Sequence, residues 1–156
     1  MQIHILSVGE KMPAWADAAA QEYLKRMPKE LGVRLVEIRP AARAAGKPVA
    51  ALLKQEALRL QAAVPAGALK VLLDERGQHW TSAQFAARLK EWLQRQSAIA
   101  FLIGGADGVD AQIRTQADIE LSLSAFTLPH ALARVVLVEQ LYRAASILKG
   151  HPYHRA

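Results

Sequence analysis

The sequence predicts an α/β domain: a parallel sheet with helices packed on both of its faces. Three observations carry that prediction. Short apolar runs of strand length alternate with longer stretches of helical spacing along the whole chain. Proline or a capping residue opens most of the helical stretches, and glycine or proline closes them. A length of 156 residues, 52% of them hydrophobic and 22% charged, suits one core. With no internal repeat and no linker, residues 1–156 read as a single domain.

The elements follow in order. IHILSVG (3–9) is an apolar run ending at glycine, as a buried strand does. Pro13 opens a helix to Met27, stopped by Pro28, with Trp15, Ala18, Ala19, Tyr23 and the aliphatic part of Arg26 expected inward. VRLVEI (33–38) is a second strand, rich in β-branched residues. RPAARAAGK (39–47) reads as an exposed, mobile loop; its cations Arg39, Arg43 and Lys47 are either simply solvated or available to RNA phosphates. Pro48 starts a helix with Leu52, Leu53, Leu60 and Ala63 inward, closed by Pro65 and Gly67.

LKVLLDERG (69–77) is a strand with a charged exit, and His79 falls in a turn beyond it. Thr81 and Gln84 have capping-box spacing, so a helix runs from Ser82 to about Arg95. SAIAFLIGG (97–105) is the most hydrophobic strand, and Asp110 caps a short helix to about Gln116. SLSAFTL (122–128) is read as the fifth strand, its alternation setting Leu123, Ala125 and Thr127 opposite Ser124, Phe126 and Leu128. Pro129 then opens a terminal helix to Lys149, and Gly150 stops it.

Composition excludes several classes of function. The absence of cysteine removes disulfides, thiolate metal sites and a cysteine nucleophile. Five histidines remain, none paired at the spacing of a helical zinc motif, so no metal is expected. No apolar run approaches the ~18 residues of a membrane span, and the first residues lack a signal-peptide pattern. A soluble, cytoplasmic protein with no membrane partner is the expectation. A net charge of +6 and a pI of about 9.9 favour an anionic partner such as nucleic acid, against a generic basic surface.

Three segments carry candidate chemistry. Gly104 and Gly105 follow a buried strand, where a ligand can approach the backbone closely and where open parallel sheets bind ligands. The spacing is neither a dinucleotide fingerprint nor a phosphate loop, so a plain strand exit is as good a reading. The serine-punctuated SLSAFTL can offer backbone groups to an aromatic base, or be ordinary core. The tail HPYHR, expected to extend away from Gly150, has Arg155 and His154 for phosphate and Tyr153 for stacking. No GxSxG surrounds any serine. Glu139 and Arg143 read as a structural i,i+4 pair, His4 as structural, and Trp15, Trp80 and Trp92 as packing or interface residues.

Together VGEKMPAW, EYLKRMPKE, VLLDERG, FLIGGADG, LSLSAFTLPHALARVVLVEQLYRAASI and HPYHR resemble, from end to end, the RlmH-type 23S rRNA pseudouridine methyltransferases of the SPOUT superfamily. The likeness is weakest over 41–68. It implies methyl transfer from S-adenosyl-L-methionine to N3 of a pseudouridine in 23S rRNA, on the assembled ribosome, by a homodimer. It also implies a deep trefoil knot at the C-terminal end, which the rule of unknotted connections would have rejected. Carried over residue by residue, the cofactor pocket falls on Leu73, Gly104, Gly105, Leu123, Ser124, Ala125, Phe126, Thr127 and Leu128. The catalytic group falls on Tyr153, His154, Arg155 and Arg143, with His130 and His151 nearby. Within that resemblance His154 is the base or a phosphate ligand, Arg155 holds the RNA, and Tyr153 positions or stacks on the target base. Two rival readings are a non-catalytic RNA-binding protein on the same scaffold and an α/β enzyme for a small anionic metabolite. The glycine and LSLSAFTL segments weigh against the first, and the missing phosphate motifs against the second.

Overall fold

A computed structural model describes residues 1–155. Its elements are β1 (Gln2–Val8), α1 (Ala14–Arg26), β2 (Val33–Ile38), α2 (Val49–Ala63), β3 (Leu69–His79), α3 (Ser82–Arg95), β4 (Ala98–Ile103), α4 (Ala111–Gln116), β5 (Ile119–Ser122) and α5 (His130–Lys149). Single 3-10 turns at Lys29–Leu31 and Pro152–Arg155 complete them. The strands form one parallel sheet in the order β2-β1-β4-β3-β5.

Both faces of the sheet are covered, as the apolar runs require. On one face Ile3, Ile5, Val71 and Phe101 meet Phe85, Leu89 and Trp92 of α3 and Leu137, Val138 and Leu141 of α5. On the other, Leu6, Val8, Leu72 and Leu102 meet Ala57 and Leu60 of α2 and Ile113 of α4. The side chains of β4 are buried throughout, because β4 lies between two neighbours and under both helical layers.

Local signals set most boundaries. The Thr81 hydroxyl accepts from the Gln84 amide at 3.1 Å, and the Gln84 side chain accepts from the Thr81 amide at 2.9 Å. Asp110 accepts from the Gln112 amide at 3.1 Å. Gly150 takes the left-handed conformation at φ 69°, and the His151 amide donates back to the Ser146 carbonyl at 2.9 Å, closing α5. Inside α5 the buried Arg134 donates to Ser7 Oγ at 3.0 Å and Glu37 Oε2 at 2.9 Å, pinning the helix to the carboxyl ends of β1 and β2.

Four expectations are corrected. The buried residues of α1 are Ala16 and Ala20, while Trp15 is 56% exposed and Ala18 and Arg26 face solvent. His79 belongs to β3 and pairs with Ser122, because β3 continues past a kink. The fifth strand ends at Ser122, and 123–129 is a loop rather than a strand. The tail turns back as a 3-10 turn against α5 instead of extending away.

The kink in β3 matters for the site. Leu121 stands opposite Leu73 before it and opposite Gln78 after it. The intervening residues cross the backbone of β5 so closely that a Cβ on Gly77 would lie 2.6 Å from the Leu121 amide nitrogen.

Candidate active site

Parallel strands all end on one edge, and the carboxyl ends of β3, β4 and β5 enclose a cleft of about 920 Å³ there. Its first wall is the β3 exit, from Leu73 through Asp74 and Glu75 to Arg76. The second is the turn from Gly104 to Val109 after β4, closed by the Gly108 amide donating to the Gly105 carbonyl at 3.1 Å. Only glycine fits at 104, since a Cβ there would lie 2.7 Å from the Gly108 carbonyl oxygen. The third wall is the loop after β5, which contributes Leu123, Ser124, Phe126, Thr127 and Leu128 before Pro129 and His130 start α5.

Serines shape that third wall. Ser122 Oγ donates to the Ser124 carbonyl at 2.8 Å, and Ser124 Oγ accepts from the Phe126 amide at 2.9 Å. These local bonds replace a strand ladder. Thr127 Oγ1 donates to Glu75 Oε2 at 3.0 Å and ties the third wall to the first. Phe126 is left 83% exposed at the cleft.

The cleft is chemically uneven. Leu73, Ile103, Val109, Leu123 and Leu128 are among its apolar lining, and Asp74, Glu75, Arg76, Asp107 and Arg114 are its charged lining. Burial opposes ionisation of Asp74, but the Arg76 amide and the Arg114 guanidinium outweigh it and hold its carboxyl below the ordinary value. Within the glycine turn Asp107 pairs with Arg43 of the 39–47 loop, and the Ala41 amide donates to Glu56 Oε2 at 3.0 Å. The 39–47 loop is therefore exposed over most of its length, as expected, but anchored.

A second cleft of about 780 Å³ lies on the α1–α3–α5 side, lined by Tyr23, Ser82, Glu139, Arg143, Tyr153 and His154 among others. Arg143 Nε donates to Glu139 Oε1 at 2.8 Å, and its guanidinium lies 5.0 Å from the centre of the Tyr153 ring. The Tyr153 hydroxyl is 3.2 Å from that of Tyr23, and its ring meets Tyr142 edge-on at 4.7 Å. Burial and the Tyr23 hydrogen bond push the Tyr153 hydroxyl well above the ordinary phenol range. His154 Nδ1 is buried with no hydrogen-bond partner.

The sequence-derived residues thus fall into two groups. Leu73, Gly104, Gly105, Leu123, Ser124, Phe126, Thr127 and Leu128 share the first cleft with His130, and Ala125 alone of that segment is absent from its lining. Tyr153, His154 and Arg143 share the second, while Arg155 and His151 are exposed beside it. The two clefts have no lining residue in common. His130 and Arg143, one from each, stand about 20 Å apart along α5 at a rise of about 1.5 Å per residue. Sequence reasoning missed Asp74, Arg76 and Arg114 in the first cleft and Tyr23 in the second. The charged run directly after the LKVLL strand was the one signal for the β3 exit.

A family model described as "Predicted SPOUT methyltransferase" matches residues 1–154. The chain belongs to the SPOUT methyltransferase family. Its likeness to curated SPOUT relatives is end to end. It is 50% identical over 155 residues to the ribosomal RNA large subunit methyltransferase H of Paraburkholderia xenovorans, covering 99% of each chain. It is 51% identical over 156 residues, all of both chains, to the protein of the same name from Nitrosospira multiformis. The Laribacter hongkongensis protein of that name is 52% identical over 155 residues, 99% of each chain. Among the described residues of this SPOUT chain, no helix is long and apolar enough to cross a membrane.

Proposed function

We infer that this chain transfers the methyl group of S-adenosylmethionine to N3 of a pseudouridine in 23S rRNA, as a cytoplasmic homodimer acting on the assembled ribosome. The observation that carries this reading is the cleft built from three strand exits in a SPOUT chain whose full-length relatives carry the large-subunit rRNA methyltransferase name. A deep trefoil knot at the C-terminal end belongs to the same reading, as membership of the SPOUT family implies.

The first cleft fits the cofactor's chemistry. Its apolar side chains suit an adenosine and its charged ones suit an amino acid. Leu73, Gly104, Gly105 and the loop from Leu123 to Leu128 are the residues assigned to hold it. S-adenosylmethionine supplies a methyl group made electrophilic by its positive sulfur. The chain then has to exclude water, align the target base and receive the N3 proton as the new C–N bond forms. His154 is assigned that proton, being the tail imidazole that lines the second cleft. Tyr153 and Arg143 position the target base, and Arg155 holds an RNA phosphate.

Because tail and cofactor cleft lie apart on one chain, the homodimer reading has the tail of one protomer serve the cleft of the other. The test is methylation of ribosomes from a strain lacking the modification. His154→Ala should lower turnover on the order of a hundredfold or more while leaving the affinity for S-adenosylmethionine unchanged. Mixing His154→Ala chains with Gly104→Val chains should restore activity, since one of the two sites in each mixed dimer is then intact. Parallel loss of binding and turnover in His154→Ala would refute the base assignment, and absence of rescue would refute the shared site. A chain that binds ribosomes but never S-adenosylmethionine would be an RNA-binding protein.

A further inference from the structure

We propose that the Asp74–Arg114 ion pair is the receptor for the amino-acid end of the cofactor, with Arg114 binding the α-carboxylate and Asp74 fixing the guanidinium in place. The proposal rests on the reading of the first cleft as an S-adenosylmethionine site and adds the subsite that the glycine turn and the 123–128 loop leave unassigned.

The placement of the pair is the first reason. Asp74 comes from the β3 exit and Arg114 from α4, which follows the glycine turn, so the bond joins two separate elements and both of its partners line the cleft. The Asp74 side chain is 10% exposed and committed, accepting from the Arg76 amide at 2.8 Å and from Arg114. Arg114 is committed through one nitrogen. Its Nη1 faces Asp74 and also lies 3.8 Å from Glu120, while the side chain keeps 30% of its surface open and lines the cleft. A guanidinium carries five donors, so one held by a single edge still presents a face to a carboxylate.

The second reason is the match of charge to chemistry. An adenosyl amino acid has an uncharged nucleoside at one end and a zwitterion at the other, and the cleft lining offers both apolar and charged side chains. Glu75, tied by its carboxylate to Thr127 Oγ1 at 3.0 Å, places a negative charge on the same wall for the α-ammonium. Arg76 is the poorer carboxylate ligand. Its side chain is 73% exposed and only 3.7 Å from Asp74 at its nearest, so it is both solvated and loosely held. A fixed arginine loses less freedom on binding than a free one, which is the role left to Asp74.

Calorimetric titration of the full chain with three adenosyl thioethers tests this. S-adenosylhomocysteine has both amino-acid charges, its decarboxylated analogue has only the amine, and 5′-methylthioadenosine has neither. The wild-type chain should bind S-adenosylhomocysteine on the order of tenfold more tightly than the decarboxylated analogue. Arg114→Met should abolish that ratio by weakening S-adenosylhomocysteine alone, and Asp74→Asn should reduce it, with 5′-methylthioadenosine affinity unchanged in both. Equal wild-type affinity for the first two ligands overturns the proposal without recourse to any variant, as does a parallel loss of all three in a folded Arg114→Met. If S-adenosylhomocysteine itself fails to bind the wild-type chain, the cofactor reading falls and takes this proposal with it. If it binds while the carboxylate makes no difference, only the proposal falls.

Discussion

Replacing Gly77 by alanine would set a methyl carbon 2.6 Å from the Glu120 carbonyl carbon and the Leu121 amide nitrogen, and 2.7 Å from the Leu121 carbonyl carbon. Comfortable carbon contacts begin near ~3.5 Å, so the overlap approaches ~1 Å against three backbone atoms at once. No side chain can rotate away to relieve it. β5 cannot retreat cheaply, because Leu121 is 2% exposed in the core and is held on β3 through Leu73. The alternative is for the β3 exit to lift, giving up the pairing of Gln78 and His79 with Leu121 and Ser122. Overpacking of this kind costs about 1–3 kcal/mol, and the lost backbone bonds add about 1 kcal/mol each. A destabilisation of about 3–5 kcal/mol is expected, lowering Tm on the order of 10 °C in a domain of this size. Urea unfolding followed by tryptophan fluorescence measures it, Trp92 being buried against Phe101. Gly46→Ala is the control: no atom lies within 4 Å of its Cβ position, so at φ 82° it bears only left-handed strain, about 1–2 kcal/mol. A Gly77→Ala chain no less stable than Gly46→Ala would refute the picture of β3 crossing β5 at contact distance.

Phe126→Ala removes a side chain that is 83% exposed in the isolated chain. Its stability should change by less than about 0.5 kcal/mol, so a fall in S-adenosylmethionine affinity measured by titration would report contact with ligand; unchanged affinity would remove Phe126 from the site. Tyr153 ionises less readily in the fold than in the unfolded chain, so its contribution to stability is whole below about pH 10 and is lost as pH rises toward the folded value. Tyr153→Phe should flatten the alkaline decline in Tm, and parallel curves for the two chains would count against the buried hydroxyl. Asp74 has the opposite sign. Its lowered value gives stability above about pH 4 that is lost as pH falls through the folded value. Asp74→Asn should be less stable at neutral pH and lose less on acidification, as a pH series of urea midpoints would show.

What was legible in the sequence was what local chemistry decides. Pro129 and Gly150 bracket α5, Thr81 and Gln84 start α3, and Asp110 starts α4, because each signal acts within a turn of itself. The third wall misled for an equally local reason. The alternation of SLSAFTL has strand period, but Ser122 and Ser124 hydroxyls bond the backbone within two residues and divert it from the ladder. In α1 the crowd of alanines gives little contrast between faces, so Trp15 drew the expected face to the wrong side. The tail was out of reach altogether. Gly150 correctly ended α5, but the tail's return rests on Tyr23, which is distant in the chain. Asp74 and Arg114 were unreadable as a pair for the same reason. The cofactor loops were carried by likeness to a family, and the spacing of the glycines alone identified no ligand.

The place of α5 between α1 and α3 has a consequence for biosynthesis. A chain made from its N-terminus completes every strand before it reaches this helix. Until Leu137, Val138, Leu141, Ala144 and Ala145 have emerged, the face of the sheet with Ile3, Ile5, Val71 and Phe101 lacks the share of its cover that α5 supplies beside α3. The nascent protein therefore carries a partly uncovered apolar surface, the kind that chaperones bind and that aggregates when they are scarce. A chain truncated before α5 should be recovered mainly in the insoluble fraction, and a soluble, monomeric product would count against this picture.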